Sequence, residues 1–205
     1  MKNLKIKPAK KISGTVKIPA DKSISHRAAM LAAVADGTSV IDNFLLSADC
    51  KSTLSAVASF GAKVKRKGAK ITITGGVFSS PGKAVDCGNS GTTVRLLSGL
   101  AAGQGVAAVF TGDSSLSKRP MKRVTEPLSL MGASVKSKNG CLPLRLQRKK
   151  LRGINYTMPV PSAQVKSSLL LGALGAKGEM RKNKKKISRV PPDEVGPFSG
   201  EKFFA

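Results

Sequence analysis

The feature that most constrains this 205-residue chain is an internal repeat with a period of about 70 residues. Residues 16–37 read VKIPADKSISHRAAMLAAVADG, residues 84–105 read AVDCGNSGTTVRLLSGLAAGQG, and residues 154–178 read INYTMPVPSAQVKSSLLLGALGAKG. Each runs from a strand-like segment through a polar turn into an Ala/Leu-rich helix that stops at a glycine, Gly37, Gly105 or Gly178. The second half of the unit repeats too. Ser52–Val64 and Thr125–Val135 both end in Gly-Ala-x-Val, after apolar residues at helical spacing such as Leu54, Val57 and Ala58. Strand-like alternation follows in Lys70–Thr74 and Leu142–Leu146. Each unit therefore predicts β-α-β-α-β-β. The period is too long for ordinary solenoid repeats, so the fold class is α/β (α+β), with related units packed around shared helices. Two units are expected at about 15–80 and 81–150, and part of a third at 151–178. After Gly178 the pattern breaks into MRKNKKKISR and VPPDE, so residues 179–205 are expected to be a basic, disordered tail. Lys182–Lys186 is its one candidate nucleic-acid or membrane patch.

The starts of the three repeat helices carry the chemistry. The first has Asp21-Lys22-Ser23-Ile24-Ser25-His26-Arg27, the second Gly88-Asn89-Ser90-Gly91-Thr92-Thr93-Val94-Arg95, and the third Pro161-Ser162-Ala163-Gln164-Val165-Lys166. Each offers a serine at or near an N-cap, small residues, and a cation about one turn in. A helix N-terminus presents unpaired N–H groups and the positive end of its dipole, and so attracts anions. Ser23 and Ser162 can cap and also donate to an anion. Gly91 admits close approach to the backbone, or serves only as a tight turn. Arg27 and Arg95 can grip a phosphate or carboxylate through two bonds. If the helices pack in parallel, the three starts converge on one anionic site. A further cluster, Lys118 to Arg123, puts four cations into six residues ahead of a helix expected near Thr125. It reads as a solvated turn or as a loop that folds an arginine over an anion. His26, the chain's one histidine, is as compatible with a structural role as with proton shuttling.

Charge narrows the function classes. The formal net charge is +25, from 36 Lys+Arg against 11 Asp+Glu, and residues 1–178 hold 29 of those basic and 7 of those acidic residues. That balance suits a nucleic-acid binder, a site for small polyanions, or a chain lacking an acidic part. Aromatic residues are 4% of the chain, with no Trp and one Tyr, so bases would find few stacking platforms. No zinc-finger spacing or basic zipper is present, and nucleic acid is disfavoured as a partner. The longest apolar run, Ala28–Ala35, is too short for a bilayer, and Met1–Lys11 lacks a signal-peptide core, which predicts no membrane partner and no export. Cys50, Cys87 and Cys141 stand far apart, which argues against a zinc site or disulfide framework and suits a reducing compartment.

Four motifs, DKSISHR at 21–27, GNSGTTVRL at 88–96, GDSSLSKRPMKRV at 112–124 and PSAQVKSSLL at 161–170, resemble the 5-enolpyruvylshikimate-3-phosphate synthase (3-phosphoshikimate 1-carboxyvinyltransferase) family in the family's order. The resemblance covers residues 12–178. It implies the enolpyruvyl transferase fold, an inside-out α/β barrel of two domains, each of three βαβαββ units. It also implies transfer of the enolpyruvyl group of phosphoenolpyruvate to the 5-hydroxyl of shikimate 3-phosphate, without metal or organic cofactor, in a cytoplasmic protein that is monomeric in the family. Glyphosate is the family's inhibitor. Carried over by motif, Lys22 would contact both substrates. Ser23, Arg27, Ser162, Ala163 and Gln164 would hold shikimate 3-phosphate. Asn89, Gly91, Thr92, Arg95 and Arg119 would serve phosphoenolpyruvate, with Gln164 bridging both. The resemblance also implies that residues 1–14 form a strand packed with a second domain. That domain, which carries the acidic residues for proton transfer, is expected to be absent. The break after Gly178 suggests a frameshift or truncation. Three readings follow: a transferase weak or inactive on its own, a non-catalytic shikimate-3-phosphate-binding half, and a basic nucleic-acid binder.

Overall fold

The computed structural model describes residue 11, residues 13–16 and residues 18–178. The expectations for residues 1–10 and 179–205, including the N-terminal strand and the basic tail, lie outside the described residues.

The first unit contains α1 (Lys22–Val34), β1 (Gly37–Ile41), α2 (Ala48–Ser59), β2 (Lys63–Lys67) and β3 (Lys70–Gly75). The second contains β4 (Val85–Asp86), α3 (Gly91–Gly103), β5 (Ala108–Thr111), α4 (Lys122–Leu130), β6 (Ser134–Lys138) and β7 (Cys141–Gln147). The third contributes α5 (Ala163–Ala173). The repeat is thus realised, and its punctuation is physical. Gly37, Gly105 and Gly178 all have positive φ, as do Gly61 and Gly132, the glycines of the two Gly-Ala-x-Val motifs. Gly61, Gly105 and Gly132 directly follow the C-cap residues of α2, α3 and α4, left-handed positions where a side chain would be strained, whereas α1 ends at Val34 and α5 at Ala173, short of Gly37 and Gly178.

Each sheet buries one face. In the first, the order is β1-β3-β2, all antiparallel, with Val40 opposite Thr72 and Val64 opposite Ile73. Ile71 and Ile73 point inward and are fully buried, while the alternate Thr72 and Thr74 point outward. In the second, the order is β4-β5-β7-β6, with β4 parallel to β5 and the other pairs antiparallel. Leu142, Leu144, Leu146 and Phe110 form its inner face.

Two expected strands are corrected. Residues 16 and 18–20 are not a strand, and Val16 and Ile18 are 82% and 71% exposed. In the second unit the corresponding Val85 pairs with Phe110 of β5 and is buried, whereas β1 pairs only with β3 among the described residues. An extended segment without a ladder partner is no strand, whatever its propensity. The opening of the third unit likewise carries no continuous strand, but isolated bridge residues at Arg152, which pairs with Lys177, and at Asn155. A third correction concerns α4. It starts at Lys122, not near Thr125, so Lys122 and Arg123 belong to its first turn.

Helix α3 is the axis of the molecule. Its buried residues run almost all round it, including Val94, Leu96, Leu97, Leu100 and Ala101. It meets α5 along a seam of glycines. A Cβ built on Gly99 would lie 2.1 Å from the Ser168 carbonyl oxygen, and one on Gly103 2.4 Å from that of Gly172. A Cβ on Gly175 would lie 2.0 Å from the Gly103 carbonyl oxygen. The contacts ascend in both helices together, so α3 and α5 run parallel at backbone contact, and both N-termini face the same end.

A buried polar chain ties α1 and α2 to α3. His26 Nδ1 lies 2.6 Å from Thr53 Oγ1, which lies 2.6 Å from Thr93 Oγ1, which donates to Ser90 Oγ at 2.7 Å. All four residues are fully buried. His26 Nε2 has no partner among the described residues. A buried orphan N–H costs more than an orphan lone pair, so the network assigns the proton to Nδ1. Burial, with Lys22 nearby, pulls the imidazole down to about 4. The unfolded state, titrating near 6.5, takes up a proton first, so stability falls as pH drops from about 6.5 to about 4. Because the chain has one histidine, its single imidazole Cε1–H resonance should stay in the neutral position from pH 8 to about 5. A midpoint near 6.5 in the folded chain would contradict the burial.

Candidate active site

The N-termini of α1, α3 and α5 meet at one end of the molecule. Each is capped as a helix start must be, though not always by the expected residue. Asp21, rather than Ser23, caps α1, accepting the Ile24 N–H at 2.7 Å. A carboxylate there is the stronger cap and leaves the Ser23 hydroxyl free of capping. Ser90 caps α3 through the Thr93 N–H at 3.1 Å, and Ser162 caps α5 through the Val165 N–H at 3.3 Å.

Long polar side chains join the three starts. Arg27 of α1 donates to Ser167 Oγ of α5 at 2.7 Å and to the Ser23 carbonyl at 3.1 Å. Arg95 of α3 donates to Gln164 Oε1 at 3.2 Å, and Gln164 Nε2 donates to Thr92 Oγ1 at 3.0 Å. Gln164 is thereby oriented, with its amide held between two residues of α3. The second nitrogen of Arg95 donates to the Pro120 carbonyl at 3.2 Å. Arg119, on the turn after β5, donates to the side-chain and main-chain oxygens of Asn89. Lys22 forms an ion pair with Asp49 at the start of α2.

Gly91 sits among these cations. It is the first residue of α3 and has no positive φ, which removes the tight-turn reading. What it supplies is space. A Cβ there would lie 2.6 Å from Arg95 Nη1 and 3.4 Å from Arg119 Nη1. Burial, with Arg119 and Arg123 nearby, holds the Arg95 guanidinium below its ordinary value, though it remains charged. Like charges gathered beside helix N-termini make a place where a bound anion relieves repulsion.

The structure therefore brings together Asn89, Gly91, Thr92, Arg95, Arg119 and Gln164 through direct contacts, and Ser23 and Arg27 through α1 and α5. Ala163 is the first residue of α5, beside its Ser162 cap. Lys22 stands at the first turn of α1, half exposed and turned to Asp49. Of the Lys118–Arg123 cluster, Arg119 alone makes a side-chain hydrogen bond within the site among the described residues. His26 lies behind the site in the buried chain. Sequence reasoning missed Asp49, Thr53, Thr93 and Ser167. Thr93 and Ser167 lie inside two of the motifs and Asp49 and Thr53 outside them, but none shows its role locally, because each gains it from a residue 27 to 140 positions away. A separate cavity of about 680 Å³ lies at the opposite helix ends, lined by Gly103, Gly105, Arg148, Lys149, Lys150 and Lys177, among others. It shares no residue with the site. Among the described residues no helix is long and apolar enough to cross a membrane.

Comparison with known proteins gives the family. Residues 6–191 match the protein family described as EPSP synthase (3-phosphoshikimate 1-carboxyvinyltransferase). A 3-phosphoshikimate 1-carboxyvinyltransferase of Caldicellulosiruptor saccharolyticus is 50% identical over 182 residues, covering 86% of this chain and 42% of that protein. One from Koribacter versatilis is 47% identical over 181 residues, covering 87% of this chain and 42% of that protein. Among solved structures, the EPSP synthase from Acinetobacter baumannii superposes with a TM-score of 0.80 at 42% identity, over 86% of this chain and 41% of that one. The chain thus spans about 42% of the length of the curated relatives it matches. With the family's motifs lying on three converging helix starts and the match running across most of the sequence, this chain belongs to the EPSP synthase family.

Proposed function

We propose that the chain binds shikimate 3-phosphate and phosphoenolpyruvate at the converging helix starts, as the anion-holding part of an enolpyruvyl transferase. The observation that carries this reading is the group of Arg95, Arg119 and Gln164 around the open space at Gly91. Arg27, Ser23, Ser162, Ala163 and Gln164 would take shikimate 3-phosphate. Asn89, Gly91, Thr92, Arg95 and Arg119 would take phosphoenolpyruvate or the inhibitor glyphosate. Lys22 would touch both substrates once released from Asp49.

The reaction moves the enolpyruvyl group to the 5-hydroxyl and releases phosphate. It needs both anions held close, a proton delivered to the phosphoenolpyruvate methylene carbon while the hydroxyl proton is removed and its oxygen bonds to the adjacent carbon, and then loss of one methyl proton as the C–O bond to phosphate breaks. The cations supply the first requirement, and clustering them in advance lowers the cost of bringing two anions together. Two nearby carboxylates are committed elsewhere: Asp21 caps α1, and Asp113 binds the Asn89 amide and the Leu116 N–H; Asp49 serves here as the resting partner of Lys22. We therefore assign this chain binding and orientation, and no general acid.

Calorimetric titration of the 205-residue chain is expected to show shikimate 3-phosphate binding that Arg27→Ala weakens about tenfold, the usual loss for a charge-assisted bond. Phosphate release from the two substrates together is expected to be weak or absent. A wild-type chain that binds neither anion would overturn the reading, and efficient turnover would overturn the assignment of binding without acid–base chemistry.

A further inference from the structure

We infer that Asp113 is a positioning residue that sets the aim of Arg119 and preserves its charge, acting through Asn89. The inference rests on the reading of the site just given and deepens its phosphoenolpyruvate side.

An ionised carboxylate can only accept. Asp113 Oδ1 accepts the Leu116 N–H at 2.7 Å, and Oδ2 accepts Asn89 Nδ2 at 2.7 Å. Because Asp113 can receive only the NH2 end of that amide, Asn89 cannot turn over, and its Oδ1 must face the other way. There it accepts Nη2 of Arg119 at 2.5 Å, while Nη1 reaches the Asn89 main-chain oxygen at 3.4 Å. Ser115 Oγ is a further acceptor, 3.3 Å from Nη2.

The backbone is built for this clamp. The Asp113 N–H donates to the Gly88 carbonyl at 3.0 Å, and a Cβ on Gly112 would lie 2.8 Å from that same oxygen. The turn bearing Arg119 can therefore lie against the start of α3 only because residue 112 has no side chain.

The neutral amide between Asp113 and Arg119 has a consequence. No carboxylate forms an ion pair with Arg119 among the described residues. A direct aspartate–arginine pair would hold the guanidinium but spend its charge. Holding it through an amide dipole fixes its position and leaves the charge for an anion. The Leu116 N–H and the Asn89 amide keep the Asp113 carboxyl below the usual carboxylate range, so the clamp stays ionised in mildly acidic solution.

The test is Asp113→Asn in the full chain. The new side chain can still accept from Leu116 N–H, but its NH2 then confronts the NH2 of Asn89. Asn89 turns over and presents its own NH2 to the guanidinium. Phosphoenolpyruvate affinity, titrated with shikimate 3-phosphate saturating, is expected to fall about tenfold. Shikimate 3-phosphate affinity and the thermal midpoint are expected to stay at the wild-type values. A second readout needs no ligand: the Asn89 side-chain amide resonances should be dispersed and slow to exchange in the wild type, and should move toward free-amide positions in Asp113→Asn. Equal phosphoenolpyruvate affinity in variant and wild type, with shikimate 3-phosphate still bound, overturns the inference alone. Loss of both ligands together with the cooperative melt also overturns it, because Asp113 would then act only in folding. A wild-type chain that binds neither anion removes the functional reading and this inference with it.

Discussion

Gly99→Ala is expected to break the fold. Its new methyl would lie 2.1 Å from the Ser168 carbonyl oxygen and 2.8 Å from the carbonyl carbon. Both are backbone atoms of α5, so no side chain can swing away. Relief requires α3 and α5 to separate, and the seam continues at Gly103, Gly172 and Gly175, so separation at one point opens the rest. Overpacking a close-packed interior costs about 1–3 kcal/mol and more where backbone meets backbone. That is a large fraction of the ~5–15 kcal/mol that holds a domain together. The thermal midpoint is expected to fall by about 10 °C, or the cooperative transition to disappear. Gly82→Ala is the control, because a Cβ there meets nothing within 4 Å and the backbone is not left-handed. It should melt like the wild type by far-ultraviolet circular dichroism. Wild-type melting in Gly99→Ala would mean that the two helices do not touch as described.

Gly91→Ala should do the opposite: keep the fold and change the ligand. The atoms its methyl would meet are the ends of two arginines, Arg95 Nη1 at 2.6 Å and Arg119 Nη1 at 3.4 Å. Flexible guanidinium tips can move where a backbone cannot, so stability should be nearly unchanged. The cost falls on whatever anion uses the space those tips surround. One methyl in a fitted pocket is worth about 1–3 kcal/mol, or roughly ten- to two-hundredfold. Glyphosate affinity is expected to fall within that range, measured by competition against phosphoenolpyruvate in the presence of shikimate 3-phosphate. Phosphoenolpyruvate affinity should fall by less. Unchanged glyphosate affinity in a variant that still binds phosphoenolpyruvate would show that the inhibitor does not use this space.

Much of this architecture is legible in the chain itself. The repeat is carried by local chemistry: a helix ending at a glycine, a Gly-Ala-x-Val turn, an alternating strand. Those signals depend on backbone freedom and side-chain period within a few residues, and the structure realises them with positive φ just past the helix ends at Gly61, Gly105 and Gly132. The helix starts were visible for the same reason, since a cap and its N–H partner lie three residues apart. Ser162 and Ser90 fill that role, and Asp21 fills it at α1 in place of Ser23. Propensity failed where a partner was required. Residues 16–20 read as a strand like Val85–Asp86, but a strand exists only where another backbone completes its ladder.

The sequence alone therefore determined the units, the family and the motifs at the helix starts. Each rests on interactions within a turn or a helix, which neighbouring residues specify. Tertiary structure alone decided which side chains act together. The glycine seam of α3 and α5 sets two helix starts side by side. The His26–Thr53–Thr93–Ser90 chain locks α1 and α2 to α3, and Asp113 reaches Arg119 through Asn89. These contacts join residues far apart in the chain. Whether a serine only caps, or a glycine only turns, depends on what the packed backbone brings within 3 Å or so of it.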